Sequence, residues 1–195
     1  MARISKVKTI TIGFIIFFIC GIYFYIFYMP ENYMWQPSYN NYAKLEKSCY
    51  LIITTKTILW ALFYIFIFFT LTKFNIGRWK WILIFIIVYI IGFFFIRTFD
   101  RFINANNFYN IFINQSVSED YILVPIIDGG YFVGKYLNNN ILDTNMMNRR
   151  YAIEGLGLIK YKPAIENLES IIENNDTEDY IKESATKSLF ILNSD

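Results

Sequence analysis

The chain has no histidine, so it lacks both the commonest general base and the commonest transition-metal ligand. It has two cysteines, Cys20 and Cys49, each at or inside an apolar run, which are too few for a disulfide framework or a thiolate metal site. Glycine and proline are scarce, with nine and four in 195 residues. A phosphate-cradling loop needs more glycines, and a following lysine, than Asp128-Gly129-Gly130 supplies. A serine nucleophile would have no histidine to activate it. The paired acids Glu119/Asp120 and Glu178/Asp179 stand where helices are expected to start, and there they complement the helix dipole. The second half of the chain has no basic patch of the kind nucleic acid requires. These absences weigh against an enzyme, and no cofactor, metal or nucleic-acid partner is expected.

What the chain does have is apolar bulk, unevenly placed. It is 55% hydrophobic and 21% aromatic, well above an ordinary soluble domain. Residues 1–99 carry ten Lys/Arg and two Asp/Glu, a balance of +8, whereas residues 100–195 carry eight and fourteen, a balance of −6. A basic, greasy half suggests a bilayer, and an acidic, polar half suggests a solvated domain.

Three runs in the first half are long enough to cross ~30 Å of hydrocarbon as helices. They fall at about 10–29, 49–71 and 79–99, so residues 1–99 read as a transmembrane anchor. The first follows Arg3, Lys6 and Lys8 and ends in Tyr23 to Tyr28 without a small-residue cleavage site, so it is expected to stay uncleaved. The second contains Lys56. A charge there is either a pathway or counter-ion group, or a side chain that snorkels to the headgroups. Trp79, Trp81 and Phe99 edge the third run, and no GxxxG pair marks a close helix crossing. The amino end and the second loop together hold six bases, against Lys44, Lys47, Arg97 and Arg101 on the other side. The positive-inside bias then predicts a cytoplasmic amino end and an exported tail, in a multi-pass protein of a bacterial inner membrane.

Residues 100–120 read as a linker or an interfacial segment. Phe102, Phe108, Ile111 and Phe112 are interleaved with asparagines, and Ser118 is placed to cap the next helix. Residues 121–195 then show helical periodicity. Gly129-Gly130 marks a kink or a break, and Asp143 or Thr144 is placed to cap the helix that begins near Arg149. Arg149, Ala152, Leu156 and Ile159 recur 33 residues later as Lys182, Ala185, Leu189 and Leu192. Between the copies, Pro163 opens an amphipathic helix with Ala164, Ile165, Leu168, Ile171 and Ile172 on one side and Glu166, Glu169 and Glu173 on the other. Self-similarity at this period is the mark of stacked helical hairpins.

Arg-x-x-Ala-x-x-x-Leu, a Pro-Ala-Ile-x-x-Leu helix, an Asn/Asp turn and Lys-x-x-Ala-x-x-x-Leu resemble HEAT repeats, in particular the short type named after phycobilisome lyases. The resemblance covers roughly Tyr121 to Leu192 and is strongest over the last 44 residues. It implies a small α-solenoid of HEAT-like hairpins, and together with the three apolar runs the expected fold is all-α, three transmembrane helices followed by that solenoid. It also implies that Arg149 or Arg150, and Lys182, hold inter-repeat turns near Asp143 and Asp176. Lyase activity does not carry over, because most such repeats are binding scaffolds. The expected function is a membrane-anchored protein–protein interaction module, an accessory subunit or assembly factor of a membrane complex. Arg149, Arg150, Lys182, Glu166 and Glu169 are the expected partner-binding residues. Alternatives are an immunity-type protein that neutralises a toxin at the membrane and a small oligomeric transporter or channel subunit.

Overall fold

A computed structural model describes residues 6–33, 39–73, 78–116 and 119–194. The expected cap at Ser118 and the amino-terminal base Arg3 lie outside the described residues, as do the side chains of Trp79 and Trp81. Among the described residues the protein is helical and has no strand. The long helices are α1 (Lys6–Tyr28), α2 (Tyr39–Lys73) and α3 (Arg78–Asn114). The short turns α4 (Glu119–Ile122), α5 (Val124–Gly129) and α6 (Gly134–Asn138) follow, and then α7 (Arg149–Leu158), α8 (Ile165–Glu173) and α9 (Asp179–Asn193).

The chain divides into two compact units. The first comprises residues 1–29 and 50–100. Two stretches that lie mostly in it, Thr11–Asn32 and Asn41–Ile67, are long and apolar enough to cross a membrane, and only 6% and 28% of their apolar windows is buried within the fold. Phe14, Phe18, Ile26, Leu62, Phe66, Phe94 and Phe95 all turn more than half of their surface outward. A helix buried in a water-soluble core shows the reverse, with its apolar residues inside. The third apolar run lies at the head of α3, which continues as one helix well past it.

The second unit takes in 101–195 and also 30–49. Residues 101–114, expected as linker or interfacial segment, are the carboxy-terminal part of α3 and supply core: Phe108, Ile111 and Phe112 have no exposed surface. The start of α2 adds Leu45, also fully buried. The amino-acid pattern grouped 30–49 with the anchor because it reads neighbours along the chain, whereas burial brings together segments that are far apart in it. Leu137, Ile141, Ala152, Leu156, Ala164, Leu168, Ala185 and Leu192 complete this core at 2% exposure or less, and Glu166, Glu169 and Glu173 face water.

Gly129-Gly130 is a break. Gly130 takes φ +61°, a left-handed conformation that glycine adopts without a Cβ clash. The chain then continues as a 3₁₀ turn, Gly130–Val133, instead of extending α5.

Helices α7 and α9 run parallel. The Ser184 Oγ donates to Glu154 Oε1 at 3.0 Å, and the Ser188 Oγ donates to the Ile153 carbonyl at 2.9 Å. A Cβ on Gly157 would lie 3.0 Å from the Cα of Ser188. These pairs are separated by 30, 35 and 31 residues, close to the 33-residue period of the pattern. The short α8 carries the chain back between them.

Two glycines in α7 face different neighbours, and this sets up a test. Ala in place of Gly favours a helix by ~1 kcal/mol. At Gly155 the new methyl meets chiefly the Ile126 Cδ1, the free end of a flexible side chain, so Gly155→Ala should be close to neutral. At Gly157 it meets the backbone of Ser188, and the helices must separate. Overpacking typically costs ~1–3 kcal/mol, so Gly157→Ala should be the more destabilising of the two and lower the midpoint of thermal unfolding by several degrees. Circular dichroism of the purified full chain checks the ranking, and equal midpoints for the two variants would contradict it.

Candidate functional site

Two places gather polar chemistry, one in each unit. In the second unit, the starts of α7 and α9 border a recess of about 290 Å³ lined by Thr144, Asn148, Arg149, Arg150, Glu178 and Tyr180, among others. That volume is at the small end of ligand pockets, which run from ~300 Å³ upward.

Asn148, not Asp143 or Thr144, is the N-cap residue of α7, and its side chain makes no capping hydrogen bond. It sits at φ 60°, ψ 27° and donates from Nδ2 to the Phe112 carbonyl at 3.3 Å. Asp143 instead closes a local turn by accepting from the Asn145 amide at 2.9 Å, and Asn174 does the same for Asp176 at 3.0 Å.

The expected partner-binding residues occupy different settings. Arg149 is 8% exposed, and its Nε donates to the Ile141 carbonyl at 2.6 Å, so it ties α7 to the turn before it. Arg150 is largely exposed. Its Nε reaches Glu154 Oε1 at 3.0 Å, the same oxygen that accepts from Ser184, so one carboxylate joins α7 to α9. Lys182 is half-buried on α9. Beside it, hydrogen bonding to Lys187 holds the exposed Glu183 carboxyl below its ordinary range, and Arg150 adds a smaller pull in the same direction. Glu166 and Glu169 are exposed on α8. The recess therefore gathers Arg149 and Arg150 but neither Lys182, Glu166 nor Glu169.

In the first unit, Lys56 is paired. Its Nζ lies 2.6 Å from Asp100 Oδ2, and the two side chains are 15% and 2% exposed. The same ammonium lies 5.0 Å from the Tyr28 ring and 6.0 Å from the Phe24 ring, within the range of cation–π attraction. One cation of α2 thus contacts a carboxylate of α3 and two rings of α1. The amino-acid pattern did not single out Asp100. The signal was present, since a lysine within an apolar span calls for a named partner. Phe93, Ile96 and Asp100 also follow one another at helical spacing.

Removing one partner of a buried pair leaves the other uncompensated, at ~3–5 kcal/mol, whereas replacing both with apolar groups is often neutral or stabilising. Lys56→Met and Asp100→Leu should each lower the temperature at which the detergent-extracted protein stays monodisperse, and the double variant should recover most of the loss. Size-exclusion chromatography after a heating series reads this, and additive losses in the double variant would rule the coupling out. No family model, curated protein or solved structure matches the chain.

Proposed function

We propose that the protein is a membrane-anchored protein–protein interaction module, serving as an accessory subunit or assembly factor of a membrane complex. The observation that carries this reading is the outward-turned apolar surface of α1 and α2, joined in one chain to a separately packed acidic unit. Apolar helices without an interior to enter are suited to lipid. In this reading the run at 79–99 is the third span, the amino end is cytoplasmic and the carboxy-terminal unit is exported.

The parallel pairing of α7 and α9, near the 33-residue period, supports a short HEAT-like solenoid as the binding element. Stacked hairpins of this kind expose a shallow surface for a macromolecule. The recess between the two helix starts, with Arg150 and Tyr180 at its edge, is the docking point of choice. A small transporter or channel subunit is the second reading, because a charged pair sits among apolar helices.

The full chain should stay in the membrane fraction through an alkaline carbonate wash. It should bring down one stoichiometric companion in mild detergent. Arg150→Glu and Tyr180→Ala should each reduce recovery of that companion about tenfold or more, the size of a hot-spot loss, and the double change Lys56→Met with Asp100→Leu should leave it unchanged. Release by carbonate, or a companion indifferent to both surface changes, overturns the module. An ion or solute flux abolished by Lys56→Met supports the transporter reading instead.

A further inference from the structure

On the second unit, exposed aromatic, aliphatic and basic side chains share one surface. Arg101 and Phe102 open it. They follow the apolar run of α3, which ends at Phe99, and at ~1.5 Å per residue they lie within one helical turn of that end. The Arg101 guanidinium donates to the Asp128 carbonyl at 2.8 Å and to the Ile127 carbonyl at 3.1 Å, holding the end of α5 beside α3. The Phe102 ring meets the Phe132 ring edge-on at 5.4 Å. Tyr131 lies 6.3 Å from Phe132 and 5.0 Å from Tyr161.

The loop after α7 joins the same surface. A Cβ on Gly134 would come within 2.3 Å of the Tyr161 ring, so the head of α6 and this loop are in direct contact. Lys135, Lys160 and Lys162 flank that contact, and all three are exposed. Phe102, Ile127 and Tyr131 are 62%, 50% and 52% exposed. Apolar side chains scattered singly over a surface need no explanation, whereas a contiguous set rimmed by charge marks an interaction site. The charged residues named here are basic apart from Asp128. The exposed acids Glu166, Glu169, Glu173, Asp176, Glu178 and Asp179 lie on α8, on α9 and in the turn between them.

We infer that this aromatic–basic surface docks on the headgroups of anionic lipids. The inference rests on the membrane reading of the preceding section. Three features choose lipid as the occupant: the surface begins within a turn of an apolar run, its exposed Tyr131 is of the kind found at headgroup depth, and its lysines match phosphate in sign. Lysines there place their stems among the rings and their ammonium groups among the phosphates.

The test uses the full chain in nanodiscs of phosphatidylcholine alone and of phosphatidylcholine with phosphatidylglycerol, followed by hydrogen exchange. Backbone amides of 127–136 and 158–163 should exchange more slowly in the anionic discs, and added salt should shrink the difference. Lys135→Gln with Lys162→Gln, both at exposed positions, should cut the docked-to-undocked ratio by about fivefold for each lysine removed. It should not change the exchange of α9. Equal exchange in the two kinds of disc, or a difference that the double variant keeps, overturns the docking surface while leaving the membrane anchor standing. A chain that remains soluble without discs or detergent overturns both.

Discussion

The Lys56 ammonium and the Asp100 carboxylate meet 2.6 Å apart, both largely shielded from solvent. In such surroundings an isolated charge is expensive, so neither residue is tolerable without the other. The pair therefore sets which faces of α2 and α3 turn toward each other, and the rings of Phe24 and Tyr28 bring α1 to the same point. Apolar contacts alone specify register weakly, because one greasy face fits another at many offsets. With no GxxxG stripe in the three runs, this charge contact is one directional element of the unit, and the hydrogen bond between Tyr64 and Tyr89 is another across the same two helices. Close packing adds to it: a Cβ on Gly92 would fall within 2.1 Å of the Phe63 ring.

The second unit is held together differently. Its core is a set of fully buried aliphatic and aromatic side chains drawn from α2, α3 and the short helices, and its polar groups tie backbone to backbone. Arg149 fixes the turn at Ile141, the Gln115 side-chain amide donates to the Ile122 carbonyl at 2.6 Å, and Ser188 fixes α9 against Ile153. The first two satisfy carbonyls outside a continuing helix ladder, where a missing partner costs ~1–3 kcal/mol, and the third adds a bond to a carbonyl within α7. Arg149 is therefore a structural residue by its bonds, and Arg150 next to it is the one that faces solvent.

Charge is distributed over this unit with a purpose that the total hides. Acids collect on α8 and the start of α9, and Lys135, Lys160 and Lys162 stand near Tyr161. On the proposed function, such a module has two different surfaces to address, lipid and protein. Opposite charge on separate parts of one small unit allows each to be met without the two competing.

Much of this was legible in the amino-acid pattern, because hydrophobic period and run length act locally. The apolar runs, the helices from Arg149 onward, the sides they bury and the break at Gly129-Gly130 all follow from residues within a few turns of one another. Three features depended on tertiary structure because they join residues far apart in the chain. Asp100 became the partner of Lys56 across 44 positions. The stretch 101–114 became core because Phe108, Ile111 and Phe112 meet side chains from other helices. Arg101, Tyr131, Tyr161 and the lysines formed one surface only when α3, α5, α6 and the loop after α7 were brought together. A sequence states which groups must find partners, and the packing of distant segments decides which partners are within reach.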